Sequence, residues 1–388
     1  MESMLWTRLT DGRLRCGLCA HACVLSPGQR GRCGVRCNHE GQPLSLVDGL
    51  VTGVQSDPVE KKPLYHFLPG SRTFSVGSAG CNFSCRFCQN HHISRDPLEQ
   101  ERIRGHEATP EMLVEAALRT SCRSLAFTYN EPTVFVELLA ATAALGQERG
   151  LPSILVSNGF MSPGCLELLG PLVRAANIDL KAFSEDFYHR YCGARLRPVL
   201  DNLVRMRALG WWLEVTTLIL EGLNDGEAEL RALARFIRDE LGADTPWHVT
   251  AFHPAYRMTD HPDTRAETLR RCRDIGLEEG LRFVYTGNVF CAGGGDTLCP
   301  QCGAPCLERQ GWQDIMRTQA SVRDAAASCR EYGNYDHRLY GQRKGQDQRL
   351  HRAGHAGPGP GFCRGFRPVH EAAGLCRGTD RSRAPAGR

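Results

Sequence analysis

Cys81, Cys85 and Cys88 stand in the string C-N-F-S-C-R-F-C-Q-N. Three thiolates spaced C-x3-C-x2-C are a poor set for one tetrahedral metal, which takes four ligands. They suit a cubane iron–sulfur cluster, whose ordinary complement is four cysteines. The next cysteine along the chain is Cys122, so one iron is left open, and an open iron can bind and activate a substrate. The plain alternative is a structural metal knuckle or three unrelated buried thiols. A second set lies upstream: Cys16, Cys19, Cys23 and Cys33, with Cys37 beyond. The spacing C-x2-C-x3-C-x9-C falls in a Gly-rich stretch too small to build a core, and such a segment usually folds on a metal. Zinc is the default, a second iron–sulfur cluster the alternative. A third set, Cys299-Pro300-Gln301-Cys302-Gly303, is half a zinc ribbon. Its second half would centre on Cys329, where Tyr332 takes the place of the fourth ligand, and Cys306 could substitute only with altered geometry.

These residues need a scaffold, and residues 61–290 supply one. Apolar or β-branched runs at 73–77, 124–129, 153–157, 176–181, 212–220, 247–252 and 281–285 read as strands. Helical patterns lie between most of them, at 109–118, 133–149, 199–209, 227–241 and 264–279. Thr109-Pro110-Glu111 is a helix start with a hydroxyl cap and a first-position proline. Alternating βα units predict a parallel sheet with right-handed crossovers, open or closed into a barrel, and chemistry at the carboxyl ends of the strands.

The polar candidates fall at those ends. Asn130-Glu131-Pro132 follows the second run, where Glu131 is either a site acid or simply the acid of a helix start. Asn158-Gly159 follows the third, as a ligand turn or as punctuation. Asp179 and Lys181, two apart on a strand, share one face. Charges against a helix layer are costly unless paired, which favours the lumen, with a structural ion pair as the alternative. Glu214 and Thr216 alternate on the next run, followed by Asn224-Asp225 in a turn. His248 and His253 belong to the one after, His253 being a site residue or a satisfied structural histidine.

The chain has 388 residues, 41% hydrophobic and 23% charged, ordinary values for a globular protein. No run of 18 apolar residues predicts a membrane span, and the first residues lack the apolar region of a secretory signal. Nineteen cysteines without an export signal predict metal ligands and reduced thiols in a cytoplasmic setting. The net charge of +4 belongs to the tail: residues 341–388 carry ten Lys/Arg and three Asp/Glu, leaving 37 basic against 40 acidic residues before them. Nothing in the body predicts a nucleic-acid-binding face. Composition divides the chain into a Cys-rich segment (1–60), a βα core (61–290), a Cys/Gly segment (291–340) and a Gly/Pro/Arg/Gln-rich tail (341–388). The tail is read as disorder or an out-of-frame translation.

The loop string resembles the signature of the radical S-adenosylmethionine (SAM) enzymes, down to Phe87 before the third cysteine. Together with L-R-C-G-L-C-A-H-A-C-V-L-S-P-G-Q-R-G-R-C-G-V-R, E-K-K-P-L-Y-H-F-L-P-G-S, D-L-K and Y-T-G-N-V, it resembles the radical SAM enzyme of the AmmeMemoRadiSam system, related to pyruvate formate-lyase activating enzymes. The resemblance covers about residues 13–312. It implies an α/β fold: a partial β/α barrel with a Cys-rich metal-binding segment before it and a degenerate zinc-ribbon-like segment after it. It also implies a 4Fe–4S cluster on Cys81, Cys85 and Cys88, with SAM chelated by the open iron and cleaved after one-electron reduction to a 5′-deoxyadenosyl radical. Phe87 would pack by the adenine, and Glu131, Asn158, Asp179, Lys181 and His253 would line the SAM site. A reductant such as flavodoxin or ferredoxin is implied, with Memo-like and AMMECR-type proteins as partners. The chain departs from the family at T-Y-N-E-P-T, where both glycines of a Gly-Gly-Glu-Pro segment are replaced. The rival readings are a glycyl-radical enzyme activase and a non-enzymatic iron–sulfur or zinc protein.

Overall fold

The computed structural model describes residues 3–310 and 314–317. Cys329 and the tail from residue 341 lie outside the described residues.

Eight strands form one sheet: β1 (Gly53–Pro58), β2 (Arg72–Gly77), β3 (Ser124–Phe127), β4 (Ser153–Ser157), β5 (Val173–Asp179), β6 (Trp212–Ile219), β7 (Trp247–Ala251) and β8 (Val284–Gly287). Their order in space is their order in the chain. β2 to β8 are parallel, and β1 runs antiparallel to β2. β1 and β8 are the two ends of the sheet, so the expected βα alternation forms an open, mostly parallel sheet, a partial rather than a closed barrel.

The crossovers are α1 (Pro110–Arg119), α2 (Val136–Glu148), α3 (Pro163–Leu169), α4 (Arg197–Ala208), α5 (Glu227–Phe236) and α6 (Ala266–Glu278). The hydroxyl of Thr109 accepts from the N–H of Met112 at 3.3 Å, the expected cap. Helix α3 is an addition to the sequence reading. Its signal was Ser162-Pro163, a cap followed by proline, and Ser162 accepts from the N–H of Cys165 at 3.1 Å.

Two apolar layers fix the sheet. One face packs on the helices through residues such as Phe127, Leu155, Ile178, Val215, Val249 and Leu269, all 0% exposed. Each such side chain contributes roughly 1.5–3 kcal/mol by burial. The other face closes over a plug, residues 59–68, whose Val59, Leu64, Phe67 and Leu68 pack on Ala126, Ile154 and Ala175. The plug is the E-K-K-P-L-Y-H-F-L-P-G-S string, and polar groups seat it. Asn177 donates to the carbonyl of Pro63 at 2.7 Å, and Glu214 accepts from the N–H groups of Tyr65 and His66 at 2.9 and 2.8 Å.

One boundary differs from the sequence reading. Gly53–Pro58 belongs to the central sheet, so residue 60 is not the start of the barrel. Nor does the N-terminal segment lack a core. Leu18, Val35, Cys37, Leu46 and Val47 are buried in the same cluster as the barrel, because the segment shares the barrel's apolar surface. A buried ion pair reinforces the junction: Arg36 meets Glu137 of α2 at 2.7 Å, both side chains 1% exposed. At the other end a small antiparallel sheet, Thr297–Leu298, Pro305–Gln310 and Asp314–Arg317, follows the barrel. Its Arg309 reaches the plug, donating to the carbonyl of Tyr65 at 2.8 Å.

Candidate functional site

The loop carrying Cys81, Cys85 and Cys88 leaves the carboxyl end of β2 and is held on every side. Before it stands Gly80, at φ +85°. A Cβ there would lie 2.7 Å from the carbonyl oxygen of Cys33 and from Val35, so only glycine allows the N-terminal segment this close. Asn130 donates to the carbonyl of Gly80 at 2.6 Å, and Asn90 to that of Tyr129 at 2.7 Å. The N–H groups of Ser84 and Arg86 donate to the carbonyls of Cys192 and Tyr191, both at 2.9 Å. Asn158 Nδ2 donates to Asn82 Oδ1 at 2.7 Å.

Cys85 is buried, while Cys81 and Cys88 are half-buried. The three thiols are near enough to influence one another's ionisation. Burial, then the Glu131 carboxylate, then Cys85 push the Cys81 thiol well up. Cys85 goes the other way: a hydrogen bond from Cys192 and the ammonium of Lys181 lower it against its burial. Cys192 corrects the expectation that no fourth thiol is near. It is remote in sequence and adjacent in space. Among the described residues no group of three or more His, Cys, Asp or Glu side chains is ready-arranged to hold a metal ion. The loop nonetheless offers three thiols at one strand end, with a cation beside them that favours thiolate. That donor set fits an iron–sulfur cluster.

The other expected residues divide. Asp179 ends β5 and pairs with Lys181 at 3.0 Å. Asp179 is a third exposed, whereas Lys181 is largely covered and lies 5.8 Å from the centre of the Phe87 ring. Burial opposes the Lys181 charge, but Asp179 and Cys85 hold its pKa well above the ordinary lysine value. The backbone here is fixed by the Tyr188 hydroxyl, which accepts from the N–H of Lys181 at 3.1 Å. Asn224, an expected turn residue, donates to the Lys181 carbonyl at 2.8 Å. Phe87 is 3% exposed and sits beside Phe187.

Glu131 is 0% exposed. Its oxygens accept from the N–H of Thr133 (3.1 Å), the hydroxyls of Thr133 and Ser157, and the N–H of Asn158 (2.9 Å). A carboxylate so occupied braces the Asn158 turn. His253 is half-exposed, with one ring nitrogen on Asp263 (2.5 Å) and the other on the carbonyl of Asn288 (3.0 Å). Its segment reaches the thiol loop through Arg257, whose N–H donates to the carbonyl of Arg86 at 3.0 Å.

Sequence reasoning missed Asp57 and Lys62 inside the barrel. Lys62, 2% exposed, meets Asp57 at 2.6 Å. Asp57 also accepts from Ser75 and Tyr129, both at 3.0 Å. The only sequence signal was two lysines beside a proline before a strand. Tyr129 itself has φ +73°, the left-handed conformation that a glycine adopts freely. In the C-terminal segment burial raises the pKa of the Cys306 thiol, and Cys299 and Cys302 lie near enough to raise it further.

Comparisons with known proteins agree with this geometry. An uncharacterised protein of Methanocaldococcus jannaschii is 42% identical over 308 residues, 79% of this chain and 91% of that protein. A second protein of that organism, provisionally named a glycyl-radical enzyme activating enzyme, is 22% identical over 217 residues, 55% of this chain and 78% of its own length. A solved domain of a pyruvate-formate lyase-activating enzyme from Bacteroides vulgatus is 16% identical, with a TM-score of 0.38 over 42% of this chain and 99% of that one. That likeness is too slight to build on. The model of the radical SAM superfamily matches residues 75–237, a span that takes in the three-thiol loop, the Asn158 turn and the Asp179–Lys181 pair, and the chain belongs to the radical SAM superfamily of enzymes.

Proposed function

We propose that Cys81, Cys85 and Cys88 hold a 4Fe–4S cluster and that the chain cleaves SAM reductively. When bound and reduced, such a cluster would supply one electron that breaks a carbon–sulfur bond of SAM, giving methionine and a 5′-deoxyadenosyl radical that would take a hydrogen atom from a substrate. The chain's own residues bind, orient and exclude water. Phe87 offers a buried apolar wall for the adenine. Asp179 and Lys181 place a carboxylate and an ammonium beside the loop, fixed against one another so that neither reorganises on binding. Asn158 lines the same edge, with Glu131 behind it. A one-electron reductant such as flavodoxin or ferredoxin serves the loop. We place the enzyme in the cytoplasm, in the AmmeMemoRadiSam system, with Memo-like and AMMECR-type proteins as partners. Among the described residues no helix is long and apolar enough to cross a membrane.

One observation carries this reading: three thiols on the loop after the first parallel strand, with the Lys181 ammonium beside Cys85. The test is anaerobic reconstitution, followed by reduction and chromatography for 5′-deoxyadenosine. Wild-type protein is expected to release it from SAM. Alanine at Cys81, Cys85 or Cys88 abolishes both cluster absorbance and product. SAM cleavage by a triple-alanine variant would overturn the assignment. A glycyl-radical activase remains the second reading, favoured by the relative of that provisional name. Hydrogen abstraction from a glycine of a co-purified partner would distinguish it.

A further inference from the structure

The N-terminal thiols converge on a place of their own. Cys16, Cys19, Cys23 and Cys33 line one cavity of about 20 Å³, together with Leu18, Arg36, Thr133 and Val134. None of the four is in a disulfide. The buried guanidinium of Arg36 lines the same cavity. A cation thus stands beside four sulfurs in a space that nothing else explains. The cavity admits about one water-sized body, which suits a single ion and is too small for a four-iron cubane.

We infer that these four thiolates hold one tetrahedral divalent ion, zinc by ligand class, which pins the N-terminal segment against the back of the catalytic loop. Closing the sulfurs onto one point is the ion's contribution, since they are not yet gathered in metal geometry. The pinned segment touches both loops of the candidate site. Next to the ligands, His21 Nε2 pairs with the carbonyl of Asn82 at 2.8 Å, and the carbonyl of Cys33 abuts Gly80. The N–H of Ala20 donates to the carbonyl of Phe160 (3.1 Å), and the N–H of Ser162 to that of Leu18 (2.9 Å). The residues flanking Cys81 and the turn after Asn158 are therefore backed by the thiol segment. An ion there would position the loop without touching SAM.

The test counts metals in full-length protein with Cys81, Cys85 and Cys88 all changed to alanine, so that the catalytic loop cannot hold iron. We expect one zinc per chain and no iron or sulfide. Adding Cys19→Ser and Cys33→Ser should lower zinc to none. Should that variant fail to fold, stepwise mercurial titration of the wild type with a zinc indicator gives the same answer, one zinc released as four thiols react. Iron with sulfide in the triple variant would overturn the single-ion site in favour of a second cluster. Folded triple variant without metal would overturn the site altogether. Neither count depends on SAM chemistry, so failure here and failure of the proposed function are distinct results.

Discussion

Two glutamates mark the two ends of the barrel. Glu131, at the carboxyl ends of the strands, and Glu214, over the plug, are both 0% exposed, and both accept from backbone N–H groups. Burial raises both pKa values, yet the outcomes are opposite. Glu214 accepts from His248 at 2.7 Å and faces His66 as well, and these neighbours bring it down to about 2. Glu131 has hydroxyl and amide donors but, among the described residues, no cation bonded to it, and burial leaves it raised. The base of the barrel is electrically finished by the protein. The mouth retains a buried acid whose field is not cancelled, beside the loop proposed to receive a sulfonium and an ammonium group. Same residue type, same burial, different neighbours: the comparison separates a carboxylate that seats the plug from one held only by hydroxyl and amide donors.

The largest effect tests the finished end. Glu214→Ala removes the buried acceptor of His248 and strands the N–H groups of Tyr65 and His66. A loss of about 3–5 kcal/mol in denaturant melts is expected, from about 1–3 kcal/mol for each stranded donor. A loss under ~1 kcal/mol would show that the plug does not rely on this acid. The pH dependence sharpens the contrast. Glu214 has a depressed folded value, so its contribution is present above the unfolded carboxylate value near ~4.3 and disappears as pH falls toward 2. Glu131 has a raised value, so its contribution is greatest below the unfolded value and declines as pH rises through the folded one. Glu214→Gln should flatten the acid limb of the stability profile, and Glu131→Gln should flatten a decline on the other side. Slopes of the same sign would break the comparison.

The next effect is on ligand affinity. Asp179 is partly exposed and Glu131 is sealed, so their losses should differ in kind. Asp179→Ala is expected to weaken SAM binding about ten- to a hundred-fold, the equivalent of one charge-assisted hydrogen bond of roughly 1.5–3 kcal/mol, with stability and cluster absorbance retained. Glu131→Ala should lower both affinity and stability, because the donors of Thr133, Ser157 and Asn158 lose their acceptor. Calorimetric titration with SAM beside thermal melts separates the two. Unchanged affinity in both variants would remove these residues from the site.

Much of the scaffold was legible because it depends on local pattern. The βα alternation and the Thr109 cap follow from periodicity and short-range sterics, and strand ends shifted by only a few residues; Lys181 falls just past the end of its strand. What was hidden depends on contacts between distant segments. Cys192 approaches Cys85 only because the turn Tyr188–Cys192 hydrogen-bonds to the loop. The N-terminal segment seemed too small for a core because the surface that completes it belongs to the barrel. Glu131 stands out in the sequence, but whether its oxygens point at a ligand or at Ser157 is a matter of packing that spacing cannot encode.

The smallest effect concerns the residue that links mouth and lumen. Tyr129 holds φ +73° where the related segment has glycine. A non-glycine residue in that region carries strain of about 1–2 kcal/mol. The surroundings account for its persistence. The hydroxyl donates to Asp57 at 3.0 Å, Lys62 lies 5.1 Å from the ring centre, and a Cβ on Gly77 would come within 2.7 Å of the ring. The side chain therefore anchors the backbone that carries Asn130 and Glu131. Tyr129→Phe keeps the ring and removes only the hydroxyl, and Asp57 retains Lys61, Lys62 and Ser75. A cost of about 0.5–1.5 kcal/mol is expected, with SAM affinity unchanged. Tyr129→Gly relieves the strain but loses the anchor, so its stability should lie near that of wild type while SAM binding weakens as the turn loosens. If the glycine variant bound SAM more tightly than wild type, the tyrosine would be a burden on the site rather than its support, and the link between lumen and mouth would be lost.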